Sequence, residues 1–315
     1  MSRGNEVRLL ADIGGTNARF ALQSPGAAPM AVHAMQTADF PTIEDALREY
    51  LARAGGRPSR GAFAVASPVT GDRIEMTNHP WSFSIEAVRR VLALSELRVI
   101  NDFEAIALSL PHLPRAEQRQ LGGGAPDPGA PIAVIGPGTG LGVAALVSGW
   151  AVPTEGGHVT MPAADEREAA IIARIRARLG HVSAERVLSG PGLQNLYRAL
   201  GDDVTPPEPG EITARALAGS DPRAVETLET FCAMLGTVTG NLALTLGARG
   251  GVYLAGGILR QFADFLARSR FRERFEDKGR FREYLAPIPV WIVGTENPAL
   301  IGLAALLDEK NIRSP

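Results

Sequence analysis

Cysteine and lysine are the scarce residues of this 315-residue sequence. Cys232 is the single cysteine, which excludes an internal disulfide and any zinc site built from several cysteines. Lys278 and Lys310 are the only lysines. Neither stands in the Gly-Lys-Ser/Thr sequence of a P-loop, so that mode of nucleotide binding is excluded as well.

An excess of charge and long apolar runs are also missing. The formal net charge is −2, which gives no electrostatic reason to expect nucleic acid or an anionic membrane as a partner. No apolar segment approaches the length of a membrane span, and glycines interrupt the first apolar run too early for a secretory signal. We therefore expect a cytoplasmic protein. Its 45% hydrophobic and 21% charged residues are ordinary for a globular chain.

The stretch Leu9–Leu22, LLADIGGTNARFAL, dominates the N-terminal half. Two apolar runs flank a turn with paired glycines, a pattern that predicts a β-hairpin. Because glycine carries no Cβ, a ligand can lie against the backbone N–H groups, and an aspartate at the strand end suits a hydrated divalent cation. An ordinary hairpin with the aspartate in a turn is the alternative. The candidate nucleotide-binding residues here are Asp12, Gly14, Gly15, Thr16 and Asn17.

A second stretch, Ile132–Val147, repeats this plan as IAVIGPGTGLGVAALV. Gly15-Thr16 can be laid on Gly138-Thr139, which predicts two similar lobes whose phosphate loops face one nucleotide across a cleft. The glycine spacing does not fit the dinucleotide fingerprint, because the sixth position is Leu141 or Val143 and a strand follows. A hairpin without a ligand remains the alternative. The candidate residues are Gly138, Thr139 and Gly140.

Strands and helices alternate along the chain, which predicts an α/β architecture. The glycine- and proline-rich segment Gly122–Pro131 is interpreted as a surface loop, because the second hairpin follows at once. The crossover between lobes is placed near Ser109–Pro114 instead. We expect a small α/β domain of residues 1–110 plus 297–315 and a large α/β domain of residues 111–296.

Helical periodicity predicts helices over Asp165–Leu179 and Pro222–Leu246. A shorter helix is predicted around Ala184–Leu188. The segment Asp202–Gly210 holds three prolines and is predicted to be a loop.

Asn101 and Asp102 stand at the predicted carboxyl end of a strand. In an open α/β sheet such a carboxylate points into the crevice where ligands bind. Phosphoryl transfer needs a group that orients and deprotonates the attacking hydroxyl, and Asp102 can serve as that base. Asp102 is equally well placed as the N-cap of a helix beginning at Phe103, and the sequence alone favours the cap.

A polar set, Glu155, His158 and Glu185, and a glycine pair, Gly256-Gly257, are further candidates for ligand contact. Carboxylates accept hydrogen bonds from vicinal hydroxyls and a neutral imidazole gives or takes one, which suits a sugar. Gly256-Gly257 joins a buried strand to a helix, where a nucleotide can pack on the backbone. The alternative for Glu155 and His158 is an ordinary polar loop, and that for Glu185 is a solvated acid near a helix N-terminus. The alternative for Gly256-Gly257 is a tight strand–helix turn. The candidate sugar ligands are Glu155, His158 and Glu185.

Taken together, several separate stretches resemble the bacterial ATP-dependent glucokinases, members of the hexokinase–actin-like superfamily. They cover Leu9 to Ile258 in the family's order. The matching stretches are ADIGGTNARFAL, MTNHPWSFS, INDFEAIA, GPGTGLGVAAL, TEGGHV, GHVSAERVLSGPGLQNLY and YLAGGI. In that family the Gly14–Asn17 turn resembles the first phosphate motif, Gly138–Gly140 the second, and Gly256-Gly257 the adenosine-side motif.

The resemblance implies an α/β, two-lobed actin-like ATPase (ribonuclease H-like) fold with a cleft for nucleotide and sugar between a small and a large domain. It implies ATP-dependent phosphorylation of D-glucose to glucose 6-phosphate at the entry to glycolysis. Asp102 matches the general base, and Asp12 would hold Mg²⁺ through water. Related enzymes suggest a homodimer. The residues that match the family's glucose ligands are Asn101, Asp102, Glu155, His158 and Glu185.

Three alternatives stay open. The chain can be a kinase for another hexose, such as mannose or fructose, or can use another phosphate donor. It can also be a sugar-sensing binding protein that has lost catalysis, although the intact Asp102 and both glycine hairpins argue against this. The zinc motif of the related sugar kinases and repressors cannot be matched, because one cysteine cannot build it.

Overall fold

The computed structural model describes residues 6–77, 79–201 and 205–308, so Asn78 of the MTNHPWSFS stretch and the first residues of the predicted 202–210 loop lie outside it. The strands of the described part are β1 Arg8–Ile13, β2 Asn17–Gln23, β3 Met30–Gln36, β4 Arg60–Val65, β5 Arg73–Glu75, β6 Ser82–Ser84, β7 Glu96–Asn101, β8 Gln118–Gln120, β9 Ile132–Pro137, β10 Leu141–Val147, β11 Trp150–Thr154, β12 Gly251–Leu254 and β13 Val290–Val293. The helices are α1 Ile43–Ala54, α2 Ile85–Val91, α3 Asp102–Ser109, α4 Glu166–Leu179, α5 Gly190–Ala199, α6 Pro209–Ala218, α7 Pro222–Leu246, α8 Gly257–Gln261, α9 Ala263–Arg268, α10 Phe271–Glu276, α11 Arg282–Leu285 and α12 Pro298–Asp308.

The chain divides into two compact units, Met1–Pro114 with Thr295–Pro315, and Arg115–Gly294. In the first unit a five-stranded sheet has the order β3-β2-β1-β4-β7. β1, β2 and β3 are antiparallel neighbours, whereas β4 and β7 run parallel to β1. Since Ile13, Val65 and Asn101 are in register, the carboxyl ends of the three parallel strands reach one edge of the sheet.

The second unit repeats this plan in a six-stranded sheet of order β11-β10-β9-β12-β13-β8. β9, β10 and β11 form the antiparallel meander, and β12 and β13 run parallel to β9. β8 is an additional antiparallel strand at the edge. Both predicted glycine hairpins are therefore confirmed, the first joining β1 to β2 and the second joining β9 to β10.

Each unit has its own hydrophobic core. In the first, Phe20, Tyr50 and Phe63 are fully buried around the sheet and α1. In the second, the long helix α7 buries Phe231 and Leu235 against the sheet and neighbouring helices. α7 occupies the residues predicted for it because Asp221 caps its start and Gly247, in the left-handed region at φ 60°, ends it.

Local prediction was wrong where backbone bonds to distant segments decide the structure. Residues 184–188 form turns rather than a helix. The Ala184 N–H donates to Val159 O at 2.9 Å and the Glu185 N–H to Gly157 O at 2.9 Å, so these donors are bonded to another loop. The predicted proline-rich loop ends earlier than expected, because Pro209 starts α6 at the position where a helix tolerates proline. No helix in the described part of the chain is long and apolar enough to cross a membrane.

Candidate active site

In the first unit, Asp12 lies near the end of β1, directly opposite Arg19 of β2. The Arg19 Nη1 and Asp12 Oδ2 atoms are 3.5 Å apart, and the Asp12 side chain is only 19% exposed. Burial raises the pKa of the Asp12 carboxyl, and the guanidinium of Arg19 acts against that rise. The carboxylate predicted at the end of β1 is therefore present. It is paired with the guanidinium of Arg19, a partner that the sequence pattern did not assign to it.

The turn between β1 and β2 is fixed from outside the hairpin by Thr37. The buried Thr37 hydroxyl donates to Gly15 O at 2.8 Å, and the Thr37 N–H donates to Thr16 O at 3.0 Å. Within the turn, the Gly14 N–H donates to Asn17 O at 2.9 Å. The side chain of Thr16 is exposed at the tip. Hydrogen bonds therefore fix the backbone of the turn, while its tip stays exposed and can contact a polar ligand.

The structure corrects the capping role considered for Asp102. Asn101 is the N-cap of α3, and its Oδ1 accepts from the Phe103 N–H at 2.9 Å and the Glu104 N–H at 3.4 Å. Asp102 is the first residue of the helix, where its Oδ1 accepts from the Phe103 N–H at 2.9 Å. The cap is supplied by the neighbouring residue, so Asp102 is not needed for it.

Asp102 is in an environment that suits a base. Burial, together with the negative charge of Asp12, raises its pKa from 3.8 to about 7. The N–H groups at the start of α3 act in the opposite direction. A carboxyl that titrates near neutrality is matched to proton transfer at physiological pH. The first unit thus brings Asp12, Asn101 and Asp102 to one edge of its sheet.

In the second unit, the two glycines of the turn Gly138–Gly140 differ in the space beside them. A Cβ on Gly138 would meet no atom within 4 Å. A Cβ on Gly140 would lie 2.5 Å from Glu185 Oε2. The Gly190 N–H, at the start of α5, donates to Gly138 O at 2.9 Å and fixes the turn. Only the Gly138 side therefore offers the free approach to the backbone that the sequence predicted for this loop, with Thr139 exposed between them.

Two glycines, Gly156 and Gly157, separate Glu155 from His158 in the candidate sugar loop. A Cβ on Gly156 would lie 2.9 Å from Val143 Cγ1, and one on Gly157 would lie 2.0 Å from Leu141 O. These glycines let the loop pack closely on β10. The flanking Glu155 and His158 side chains are more than half exposed, with Glu155 Oε2 and His158 Nε2 3.7 Å apart.

Glu185 joins this loop to the second hairpin. Its Oε2 accepts from the Leu141 N–H at 3.0 Å, just after the turn, and its own N–H donates to Gly157 O at 2.9 Å. The structure therefore brings the predicted sugar residue Glu185 onto the predicted phosphate loop. It is neither in a helix nor a freely solvated acid.

Gly256 and Gly257 also adjoin the second hairpin. Gly256 has φ 113°, and a Cβ there would lie 2.3 Å from Pro137 O at the end of β9. Gly257 starts α8 and is open, with its nearest neighbour atom 4.0 Å from a Cβ. The second unit thus places Gly256-Gly257, the predicted adenosine-side motif, beside the predicted phosphate turn.

Sequence reasoning missed the residues that hold these loops. Thr37 and Gly190 hold Gly15 and Gly138 from positions distant in sequence, whereas Arg19 and Ser189 contact Asp12 and Glu185 from nearby positions. Only Arg19 had a signal, because period-2 alternation puts it on the same face of the hairpin as Asp12. The missed residues are Arg19, Thr37, Ser189, Gly190 and Ser67, whose backbone oxygen accepts from Asn101 Nδ2 at 3.5 Å.

Within the described residues, no group of three or more His, Cys, Asp or Glu side chains is arranged to hold a metal ion. Magnesium is usually held by one or two carboxylates together with substrate phosphates and water. Asp12 fits that lighter requirement. Its carboxylate and that of Asp102 interact unfavourably, which leaves negative charge that a cation would offset.

Comparisons with known proteins identify the family of the chain and its fold. The family model for Glucokinase matches residues 9–310. The glucokinase of Chromobacterium violaceum is 54% identical over 309 residues, which cover 95% of this chain and 89% of the relative. The crystal structure of a glucokinase from an Antarctic psychrotroph matches with a TM-score of 0.87 and 38% identity, covering 96% of this chain and 98% of that one.

A further structural neighbour is the ROK family glucokinase from Streptomyces griseus in complex with glucose and AMPPNP, with a TM-score of 0.67, 19% identity, and coverage of 96% of this chain and 98% of that one. At this identity it supports the fold alone. The repeated sheets, the two glycine hairpins and these matches define a sugar kinase with the two-domain, actin-like α/β fold. The chain belongs to the glucokinase family.

Proposed function

We propose that this kinase transfers the γ-phosphoryl group of ATP to the 6-hydroxyl of D-glucose, with Asp102 as the general base. The observation that carries the assignment is the environment of Asp102. Asp102 is partly buried at the start of α3, the neighbouring Asn101 caps that helix in its place, and desolvation with the charge of Asp12 raises the Asp102 pKa to about 7. The names of the relatives favour glucose as the acceptor, and the neighbour crystallised with glucose and AMPPNP favours ATP as the donor.

In the proposed reaction the Asp102 carboxylate takes the proton of the 6-hydroxyl. The oxygen then attacks the γ-phosphorus in line, the bond to the β,γ-bridging oxygen breaks, and ADP leaves with that electron pair. The protonated Asp102 returns its proton to solvent. Positioning supplies much of the acceleration, since alignment of reactants can be worth roughly 7–11 kcal/mol.

The remaining polar residues have roles in binding the sugar. Asn101 has already committed its Oδ1 to the helix cap, so its Nδ2 group is the one that can donate to a sugar hydroxyl. The exposed Glu155 and His158 can accept or donate at vicinal hydroxyls. Glu185 can accept from a hydroxyl through its Oε1 atom, because Oε2 accepts from Leu141.

The phosphates would contact the turns of the two hairpins. Backbone N–H groups around Gly15 and Gly138 can stabilise negative charge that moves from the transferring group to the leaving oxygen. Gly256 and Gly257 would contact the adenosine side. Mg²⁺ held by Asp12 through water would supply a further positive charge at the phosphates.

The test is ADP release with Mg-ATP across a panel of hexoses that includes glucose, mannose and fructose. We expect turnover that depends on glucose and on Mg²⁺. Faster turnover with another hexose would show that this hexose, and not glucose, is the preferred substrate. Sugar binding without turnover with any nucleotide would favour the non-catalytic regulator.

The resemblance to the family also supports a homodimer that works in the cytoplasm, without nucleic acid or membrane as a partner. Light scattering of the purified protein tests the assembly, and fractionation of cells that express it tests the compartment. A monomeric mass would contradict the first inference, and membrane association the second.

A further inference from the structure

One residue, Glu185, contacts both the candidate sugar loop, through its backbone N–H, and the candidate phosphate turn, through its carboxylate. Its Oε2 is 3.0 Å from the Leu141 nitrogen, the first residue after the turn Gly138–Gly140. Among the residues that the structure describes, none donates a hydrogen bond to its Oε1. One oxygen is therefore committed to the protein backbone, and the other can accept from a ligand.

The turn is shaped to receive this carboxylate. A Cβ on Gly140 would lie 2.5 Å from Oε2 and 3.3 Å from the carboxyl carbon of Glu185. Gly140 does not have a positive φ, so its backbone does not itself demand glycine. Space for the Glu185 carboxylate is what excludes a side chain there. Gly138, two residues earlier, has open space at the same point.

The main chain around Glu185 is held as firmly as its side chain. The Glu185 N–H donates to Gly157 O at 2.9 Å, and the Ser189 hydroxyl donates to Glu185 O at 2.7 Å. The next residue after Ser189, Gly190, donates its N–H to Gly138 O at 2.9 Å. A closed set of hydrogen bonds thus links the loop of Glu155 and His158 to both ends of the phosphate turn.

We propose that Glu185 is a positioning residue for the nucleotide as well as a sugar ligand, and that it couples the two substrates. The inference rests on the proposed function. By holding the Leu141 N–H, Glu185 fixes the shape of a turn whose own backbone would contact the phosphates. A sugar hydroxyl that donates to Oε1 orders the same carboxylate, so each substrate binds better when the other is present.

The first arm of the test measures AMPPNP binding to the sugar-free protein by calorimetry. A hydrogen bond to a charged acceptor is strong enough for its loss to weaken a fixed turn measurably. We expect Glu185→Ala to raise the Kd for AMPPNP about 10-fold. Glu185→Gln keeps an oxygen that can accept from Leu141, and should stay within about 3-fold of the wild type.

The matched control for this arm is His158→Ala. His158 is a proposed sugar ligand with an exposed side chain and no hydrogen bond to the turn among the described residues. It should weaken glucose binding and leave the Kd for AMPPNP unchanged. An unchanged AMPPNP Kd in Glu185→Ala as well would overturn the proposal and leave Glu185 as a sugar ligand only.

The second arm approaches the contact from the turn and does not depend on a variant of Glu185. Gly140→Ala displaces the carboxylate, whereas Gly138→Ala adds a methyl group to open space. Glucose binding is measured without nucleotide in both. We expect Gly140→Ala to raise the Kd for glucose about 5-fold or more and Gly138→Ala to leave it unchanged. Equal effects, or none in Gly140→Ala, would contradict the proposal.

Steady-state kinetics and thermal unfolding complete the design. A positioning role predicts that Glu185→Ala raises KM for both substrates, whereas general loss of folded protein would lower kcat at unchanged KM. The Tm of each variant is measured alongside, and Gly140→Ala, compared with Gly138→Ala, carries the test if Glu185→Ala does not fold. Failure of the wild-type protein to bind AMPPNP or glucose at all would instead refute the proposed function.

Discussion

The two glycine hairpins have the same pattern in the sequence and different surroundings in the structure. In both, an antiparallel turn with an exposed threonine follows a strand that pairs with a parallel neighbour on its other side. Laying Gly15 on Gly138 places Asp12 on Ile135. Asp12 faces Arg19 across its hairpin, whereas the fully buried Ile135 faces Val143. At equivalent positions, the first hairpin therefore has a pair of charged residues and the second a pair of buried apolar residues.

The hydrogen bonds that hold the two turns also differ. A side-chain hydroxyl, that of Thr37, holds the first turn at Gly15 O. A backbone N–H, that of Gly190, holds the second at Gly138 O, and the Glu185 carboxylate holds its far end. We infer that the first hairpin contributes a charged residue, Asp12, near the proposed base Asp102. We infer that the second hairpin contributes mainly backbone N–H groups that contact the nucleotide.

The largest expected effect separates these roles. Asp102→Asn should lower kcat at least ~10²-fold, a usual scale for the loss of a general base, while the binding of AMPPNP and glucose is retained. Wild-type kcat should rise with pH through about 7, because Asp102 must be deprotonated to act and its pKa is about 7. Steady-state rates from pH 5 to 9 and calorimetry make the measurement.

The control is Glu104→Gln, which changes a carboxyl to an amide on the same helix, two residues from the base. It should leave kcat within about 3-fold of the wild type. A nearly normal kcat in Asp102→Asn would show that Asp102 is a structural residue at the start of α3 and that the base lies elsewhere.

Removal of the same carboxyl should change the pH dependence of stability. An unfolded Asp102 titrates near pH ~4, but in the folded protein its pKa is about 7. Between these values the unfolded chain releases the proton first, so the free energy of unfolding falls as pH rises, by at most about 1.4 kcal/mol per pH unit. Above the folded pKa this contribution no longer changes.

Asp102→Asn lacks this penalty, so its Tm relative to the wild type should be higher at pH 8 than at pH 4.5. Thermal unfolding of both proteins at the two pH values makes the comparison, and the other titrating groups largely cancel in the difference. An equal difference at both pH values would mean that Asp102 is not desolvated in the folded protein.

Much of the fold follows from local patterns in the sequence. The hairpins were predictable because apolar runs and glycines are adjacent in the chain, and α7 because its cap, its apolar face and its terminal glycine are all local. The position of Asn101 and Asp102 at a strand end was predictable for the same reason. Their division of labour was not, since both are good capping residues.

The ties that distinguish the hairpins could not be predicted in this way. Thr37 lies 22 residues from Gly15, and Glu185 lies 44 residues from Leu141. Nothing in a local pattern selects those partners. The raised pKa of Asp102 likewise arises from burial and from Asp12, which is brought near only by the parallel pairing of β1, β4 and β7.

A smaller effect should follow from loosening the first turn alone. Thr37→Val is close in shape but removes the hydroxyl that donates to Gly15 O. The loss of such a bond is worth about 1 kcal/mol, so we expect KM for ATP to rise roughly 5-fold. Thr37→Ser keeps the hydroxyl and should stay near the wild type. Equal KM values in the two variants would show that the hydroxyl does not position the turn.

The smallest expected effect is that of Ser189→Ala at the second turn. The buried Ser189 hydroxyl accepts from the Gly192 N–H at 3.1 Å as the N-cap of α5 and donates to Glu185 O. It therefore acts one residue away from the Gly190 N–H that holds Gly138. Because that backbone bond remains, we expect KM for ATP to rise only about 2- to 3-fold, less than in Thr37→Val. The lost cap should lower stability by about 1 kcal/mol.

Ser189→Gly separates the two functions of this hydroxyl. Glycine is nearly as good an N-cap as serine, costing only a few tenths of a kcal/mol, but it cannot donate to Glu185 O. If the link to Glu185 is what shapes the turn, the rise in KM should be the same in the glycine and alanine variants although their Tm values differ. A KM that follows Tm instead would mean that the cap alone matters. The second turn would then be held by the Gly190 N–H and the Glu185 carboxylate without help from the Ser189 hydroxyl, whereas the Thr37 hydroxyl bonds to the first turn directly.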